Sequence, residues 1–157
     1  MIDLGMAAND NERLALELFL AMENGNLLDV MSELCTPDFI WANSGLPMLR
    51  GQSEIQALFA KGGFRSEIPI LADQTHFSAD VIHIASRGNA VLTERIDHHW
   101  AADGRDLMTP HIAGVIEIEG GRATALRDFY DVECYQQAPS EVDPQFTLAA
   151  HNARNGH

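Results

Sequence analysis

The chain is poor in cysteine and in basic residues, and it has no long apolar run. Its 157 residues include two cysteines, Cys35 and Cys134, far apart and outside any CxxC spacing. That excludes a disulfide-stapled scaffold or a cysteine-rich zinc module, and free thiols in a cytoplasmic protein are the simplest expectation. Lysine and arginine number 10 against 23 acidic side chains, a formal charge of −13. Such a surface repels phosphate backbones, and no basic cluster offers a local exception, so nucleic acid is not an expected partner. A strongly anionic substrate would also enter against the field, which favours a neutral small molecule. No stretch approaches the roughly 20 apolar residues of a membrane span. The start, "MIDLGMAANDNER", lacks the basic and then apolar pattern of a secretory signal.

Chemical motifs are also scarce. Gly-rich phosphate loops, a GxSxG nucleophile elbow and HxH or HExxH metal spacings are all missing. His98 and His99 are adjacent, so on a strand they project to opposite faces and cannot readily share one ion. No metal and no other cofactor is expected.

What is present is a globular balance, 46% hydrophobic and 21% charged, long enough for one domain with a real core. The first half reads as helical. Asn9 and Glu12 form a capping box ahead of Leu14, Leu18, Ala21 and Met22 at helical spacing. "NGN" at 24–26 breaks that pattern, and Asn26 can cap a second helix that Pro37 ends. "FIW" at 39–41 is a first short strand, and 44–51 a loop. Ser53 and Gln56 predict a third helix, through Ile55, Leu58 and Phe59 to "KGG". The second half is strand-rich: 76–86, 90–100 and 107–118 are divided by "RGN" and "ADGR", and "EGGR" leads into "ATALRDFYDVECY". The domain is expected over 1–138, followed by a polar, poorly ordered tail over 139–157.

Helices followed by a meander of long strands predict an α+β fold, with helices covering one face of a curved sheet. Where such a sheet curls it leaves an apolar cavity, and a polar row on its concave side can be buried. The strand "ERIDHHW" (94–100) raises that question. Arg95, Asp97 and His99 point to one face, and Ile96 and Trp100 to the other. In isolation an Arg/Asp pair two apart reads as a solvated strand face. "RDFYD" (127–131) read alone is a charged strand edge, and Asn43 in "WAN" a turn residue.

Taken together, "ERID", "HIAGVIEIEGGRATAL", "RDFYD" and the loop "WANSGLPMLRG" resemble the limonene-1,2-epoxide hydrolase family, within the SnoaL/NTF2-like cone fold. The resemblance runs from about the first helix to Tyr135. It implies one-step hydrolysis of a hydrophobic epoxide to a vicinal diol by an Asp–Arg–Asp array, without metal or covalent intermediate. Asp128 would be the general base that deprotonates water, and Asp97 the general acid that protonates the epoxide oxygen. Arg95 would lie between them, and Asn43 would help hold the water.

The family normally places a tyrosine where this chain has Trp41, and His99 should face inward two residues past Asp97. Trp41 and His99 are therefore expected to touch substrate. So are Met108, Pro110 and Ile112 on the neighbouring strand, and Tyr135 beyond Asp128. The resemblance also implies a homodimer through the outer sheet face, where Ile96 and Trp100 would lie. Two other readings stay open: an isomerase, dehydratase or cyclase acting on a carbonyl compound, and a non-catalytic small-molecule-binding module.

Overall fold

A computed structural model describes residues 1–136. The expected domain boundary at 138 and the tail over 139–157 lie outside the described residues. Helices α1 (Asp10–Glu23), α2 (Leu27–Leu34) and α3 (Gly51–Ala60) pack against one mixed sheet of seven strands. The strands are β1 (Cys35–Asn43), β2 (Leu49–Arg50), β3 (Gln74–Arg87), β4 (Ala90–Ala101), β5 (Asp106–Met108), β6 (His111–Glu119) and β7 (Arg122–Phe129). Their order is β2-β1-β7-β6-β4-β3, with β5 on β4, and only the β1–β7 pairing is parallel. This is the α+β plan expected from the element order, in the cone form that the resemblance implies. No helix among the described residues is long and apolar enough to cross a membrane.

Local chemistry explains the helix boundaries. The Asn9 side chain accepts from the Glu12 amide at 3.1 Å, while Glu12 Oε2 accepts from the Ala8 amide at 2.8 Å. The Asn9 cap is as the sequence predicts, while the Glu12 carboxylate takes the amide one residue before the cap rather than that of Asn9. Helix α1 then buries Ala15, Leu16, Leu18 and Phe19 against the sheet. In α3 the expected cap is corrected: the helix begins at Gly51, and Glu54 Oε2, not Ser53, takes up the Arg50 amide at 2.7 Å.

Pro37 does not end α2. The helix stops at Leu34, and Pro37 lies inside β1, where the register with β7 shifts between Cys35 and Ile40. A bulge spares proline the ladder hydrogen bond it cannot donate. The stretch read as one strand over 107–118 is broken at Thr109 and Pro110 into β5 and β6.

The outer sheet face also differs from expectation. Ile96 is only 1% exposed in the single chain, so it cannot anchor a partner. On its strand face it is flanked by Glu94, which hydrogen-bonds His83 and His111, and by His98, which bridges Asp106 and Asp80. Trp100 is half-buried, stacked between His76 and His98, with its indole N–H on Ser78 Oγ at 2.9 Å. The exposed large apolar side chains of this sheet are instead Leu92 and Phe129.

Candidate active site

Strand alternation sends every second residue of β4 inward: Thr93, Arg95, Asp97 and His99. On β6 the inward set is Ile112, Gly114, Ile116 and Ile118, with Gly114 paired to both Thr93 and Asp128. Parallel pairing of β1 with β7 sets Asn43 beside Asp128 and Trp41 beside Leu126. The residues singled out in the sequence thus converge across three strands, from positions 43, 95, 97 and 128.

Arg95 is the centre. It is 2% exposed, and its guanidinium makes four hydrogen bonds to two carboxylates. Nε and Nη2 donate to Asp97 at 2.8 and 3.2 Å, and Nη1 and Nη2 donate to Asp128 at 2.9 and 2.6 Å. Its reach to Asp128 passes over Gly114, where a β-carbon would lie 2.7 Å from Nη1. Phe19 of α1 covers the guanidinium, 4.5 Å from ring centroid to Cζ. Asp128 is anchored from behind, its carbonyl accepting from the Ser44 amide at 3.1 Å.

Burial and charge set the protonation states. Burial is the largest influence on Asp97 and raises its carboxyl to about 6; Arg95 pulls the other way, and the Asp128 charge pushes up again. Burial works against the charge on Arg95, but Asp128 and Asp97 outweigh it and raise its pKa. A permanent cation between two carboxyls, one of them inclined to hold its proton, is a site built for opposed acid and base work.

The array forms one wall of a cavity of about 610 Å³. Trp41, His99, Met108, Pro110 and Ile112 also line it, as the sequence leads one to expect. Trp41 packs with Phe59 (centroids 6.4 Å) and Phe64 (5.2 Å), and its indole nitrogen is buried without a hydrogen-bond partner among the described residues. Tyr135 is a correction. It is absent from the lining and stands behind Tyr130, with its hydroxyl 2.6 Å from that of Tyr130 and donating to the Ser44 carbonyl at 2.6 Å.

Tyr130 lines the cavity, and its hydroxyl stands 3.2 Å from Asn43 Oδ1. Sequence reasoning passed over Tyr130 and Gly114 as site residues. A glycine inside a strand signals close approach by another group, and "HIAGVIEI" carried that signal. The two cysteines are buried free thiols, each raised by burial to about 12, and so are poor nucleophiles.

Fold and site together define an NTF2-like α+β protein with a carboxylate–guanidinium–carboxylate array buried in its cone. The chain belongs to the limonene-1,2-epoxide hydrolase family, whose catalytic-domain model matches residues 10–138. It is 27% identical over 118 residues to epoxide hydrolase EphG of Mycobacterium tuberculosis, covering 75% of this chain and 72% of that protein. The structure of an LEH-like epoxide hydrolase from M. tuberculosis matches with a TM-score of 0.64 at 24% identity, over 81% of this chain and 86% of that one. An NTF2-like protein of unknown function from Burkholderia pseudomallei matches at 0.61 and 18%, over 78% and 92%. At these identities the two structures speak for the fold, while the family match speaks for a hydrolase of the epoxide hydrolase class.

Proposed function

We propose that the protein hydrolyses a hydrophobic, neutral epoxide to a vicinal diol in one step, with Asp128 as general base and Asp97 as general acid. The observation that carries this reading is that both carboxyls grip one buried guanidinium at the wall of a largely apolar cavity. Asp128 takes a proton from water as the water oxygen bonds to an epoxide carbon. The C–O bond breaks, its electron pair passes to the ring oxygen, and Asp97 supplies the proton there. Proton return from Asp128 to Asp97 restores the starting state. Arg95 holds the carboxyls in register and remains charged throughout.

Asn43 completes the water site. The Tyr130 hydroxyl, 3.2 Å from Oδ1, fixes the Asn43 side-chain amide, whose remaining polar group holds the water while Asp128 accepts from it. Trp41 takes no part in this step, because its indole N–H is buried and, as a donor only, cannot receive the proton of water. Tyr130→Phe is expected to lower kcat about 10-fold with little change in KM, the cost of a loosened Asn43. Steady-state kinetics would check the split, and a loss confined to KM would remove Tyr130 from the water site.

The test of the function is turnover of a panel of bulky hydrophobic epoxides in ¹⁸O-labelled water. Under single-turnover conditions the diol is expected to carry one label from solvent, with none entering a carboxylate of the enzyme. Label in Asp97 or Asp128 would mean a covalent ester. No diol from any epoxide would sink the reading, and proton exchange next to a ketone carbonyl would point to isomerase chemistry.

The pH dependence follows from Asp97. Its folded pKa, about 6, lies above the ordinary carboxyl value of 3.8. The protonated acid is therefore lost as pH rises through about 6, and kcat/KM is expected to fall about tenfold per unit above that point. The same shift contributes stability that is full below the ordinary value and lost as pH rises through the folded one. A kcat/KM profile flat from pH 6 to 9 would exclude Asp97 as the acid.

A further inference from the structure

His99 has no role in the array, yet its ring lines the same cavity. It stands two residues beyond Asp97 on the same face of β4, so it lies about 7 Å further along the cavity wall. Its surroundings are apolar: Phe77 meets it edge to face at 5.4 Å between centroids, and Met108 is its register partner on β5. No protein group among the described residues hydrogen-bonds the ring, and Nδ1 is buried without a partner. Burial, with the charges of His98 and Arg95 adding, pushes its pKa down to about 3, so the ring is neutral.

A hydrocarbon seated against the accessible polar edge of a neutral imidazole strips its water and leaves it unpaired, a cost that leucine in its place would not carry. A substrate group that hydrogen-bonds that edge avoids the cost. With Nδ1 enclosed, the edge left to the substrate is Nε2. Whichever tautomer is present, Nε2 is either a donor or an acceptor, and a hydroxyl serves both. A carboxylate substituent is disfavoured by the net charge of −13.

We propose that His99 is a specificity-determining residue, and that the substrate is a hydrophobic epoxide bearing a hydroxyl group away from the epoxide ring, at the His99 end of the cavity. This rests on the epoxide hydrolase reading above. One contact at the array and a second at His99 fix the molecule at two points, which selects the ring carbon offered to water. A hydrocarbon epoxide of the same skeleton is held at one point only.

The test compares a hydroxylated cyclic epoxide with its deoxy counterpart, on wild type, His99→Leu and His99→Gln. Wild type is expected to favour the hydroxylated member by about 10- to 100-fold in kcat/KM, mostly through KM. His99→Leu is expected to bring that ratio close to one, and His99→Gln, which keeps a hydrogen-bonding tip, to restore part of it. A wild-type ratio near one, or a ratio unchanged in His99→Leu, overturns the proposal. Calorimetric binding of the matching unreactive alkenes, with and without the hydroxyl, reads the same preference without turnover. If that preference is present and lost in a folded His99→Leu protein while no epoxide reacts, His99 keeps its role and the epoxide reading fails. If epoxides react but neither assay discriminates, His99 loses its role and the epoxide reading stands.

Discussion

Asp128→Asn lowers kcat for epoxide opening by about 10³-fold, with KM within a few-fold of wild type. The amide keeps the carboxyl shape but cannot take a proton from water. Both Asp128 oxygens are held by Arg95, so an amide also sets an N–H against a guanidinium N–H that needs an acceptor. Stability is therefore expected to fall as well, by about 3 kcal/mol, because a buried cation loses part of its compensation. Asp97→Asn is expected to cost kcat similarly, since an amide cannot protonate the epoxide oxygen. It costs less in stability, because burial already favours the uncharged form at that position. Thermal melts beside steady-state kinetics separate the two effects. Either variant retaining more than a tenth of wild-type kcat would remove that carboxyl from proton transfer.

Gly114→Ala is expected to disable the enzyme without touching any group that reacts. A β-carbon there would stand 2.6 Å from Thr93 Oγ1, 2.7 Å from Arg95 Nη1 and 3.0 Å from Asp128 Oδ1. None of these can step aside cheaply. Arg95 is tied by four hydrogen bonds, Thr93 is 5% exposed, and the Asp128 backbone is pinned by Ser44. Overpacking of this kind costs about 1–3 kcal/mol. A displacement of about 1 Å in the array lowers kcat/KM by roughly 10²-fold. Ala113→Val, the neighbouring residue on the exposed side of the strand, is the control and is expected to leave both quantities near wild type. Wild-type kinetics in Gly114→Ala would show that the guanidinium does not need its present path to Asp128.

Gly114 and Tyr130 mark where reading the sequence stopped. The period of two along β4 was enough to put Arg95, Asp97 and His99 on one side, and Ile96 and Trp100 on the other. It was not enough to say which side was wet, because an Arg/Asp pair on a strand is most often solvated. Family resemblance, through Asn43 and "RDFYD", tipped that reading toward a buried pair. The need for glycine at 114 depends on side chains from β4 and β7 meeting over it. Those strands lie on either side of β6, so the glycine itself signals a close approach but not which side chains make it. Tyr130 follows the last residue of β7, so alternation no longer predicts where its ring goes. It took the cavity position expected for Tyr135. Pro37 shows the same limit: a proline after a helical run looks like a stop, but here a bulge in β1 accommodates it.

What the sequence by itself determined is whatever depends on near neighbours: the cap of α1 (though not those expected from Asn26 on α2 and Ser53 on α3), strand alternation, turns, an acidic composition, and the candidate acid, base and arginine. Only the tertiary structure decided how those candidates meet. Arg95 is a buried clamp because β6 offers a glycine between β4 and β7. Ile96 is covered within the single chain, and His99 faces the cavity with no hydrogen bond to its ring among the described residues. These outcomes depend on strand register and on contacts between residues far apart along the chain, such as Tyr135 and Ser44, 91 positions apart. Side-chain period is a property of one strand, whereas burial and pairing belong to several packed together.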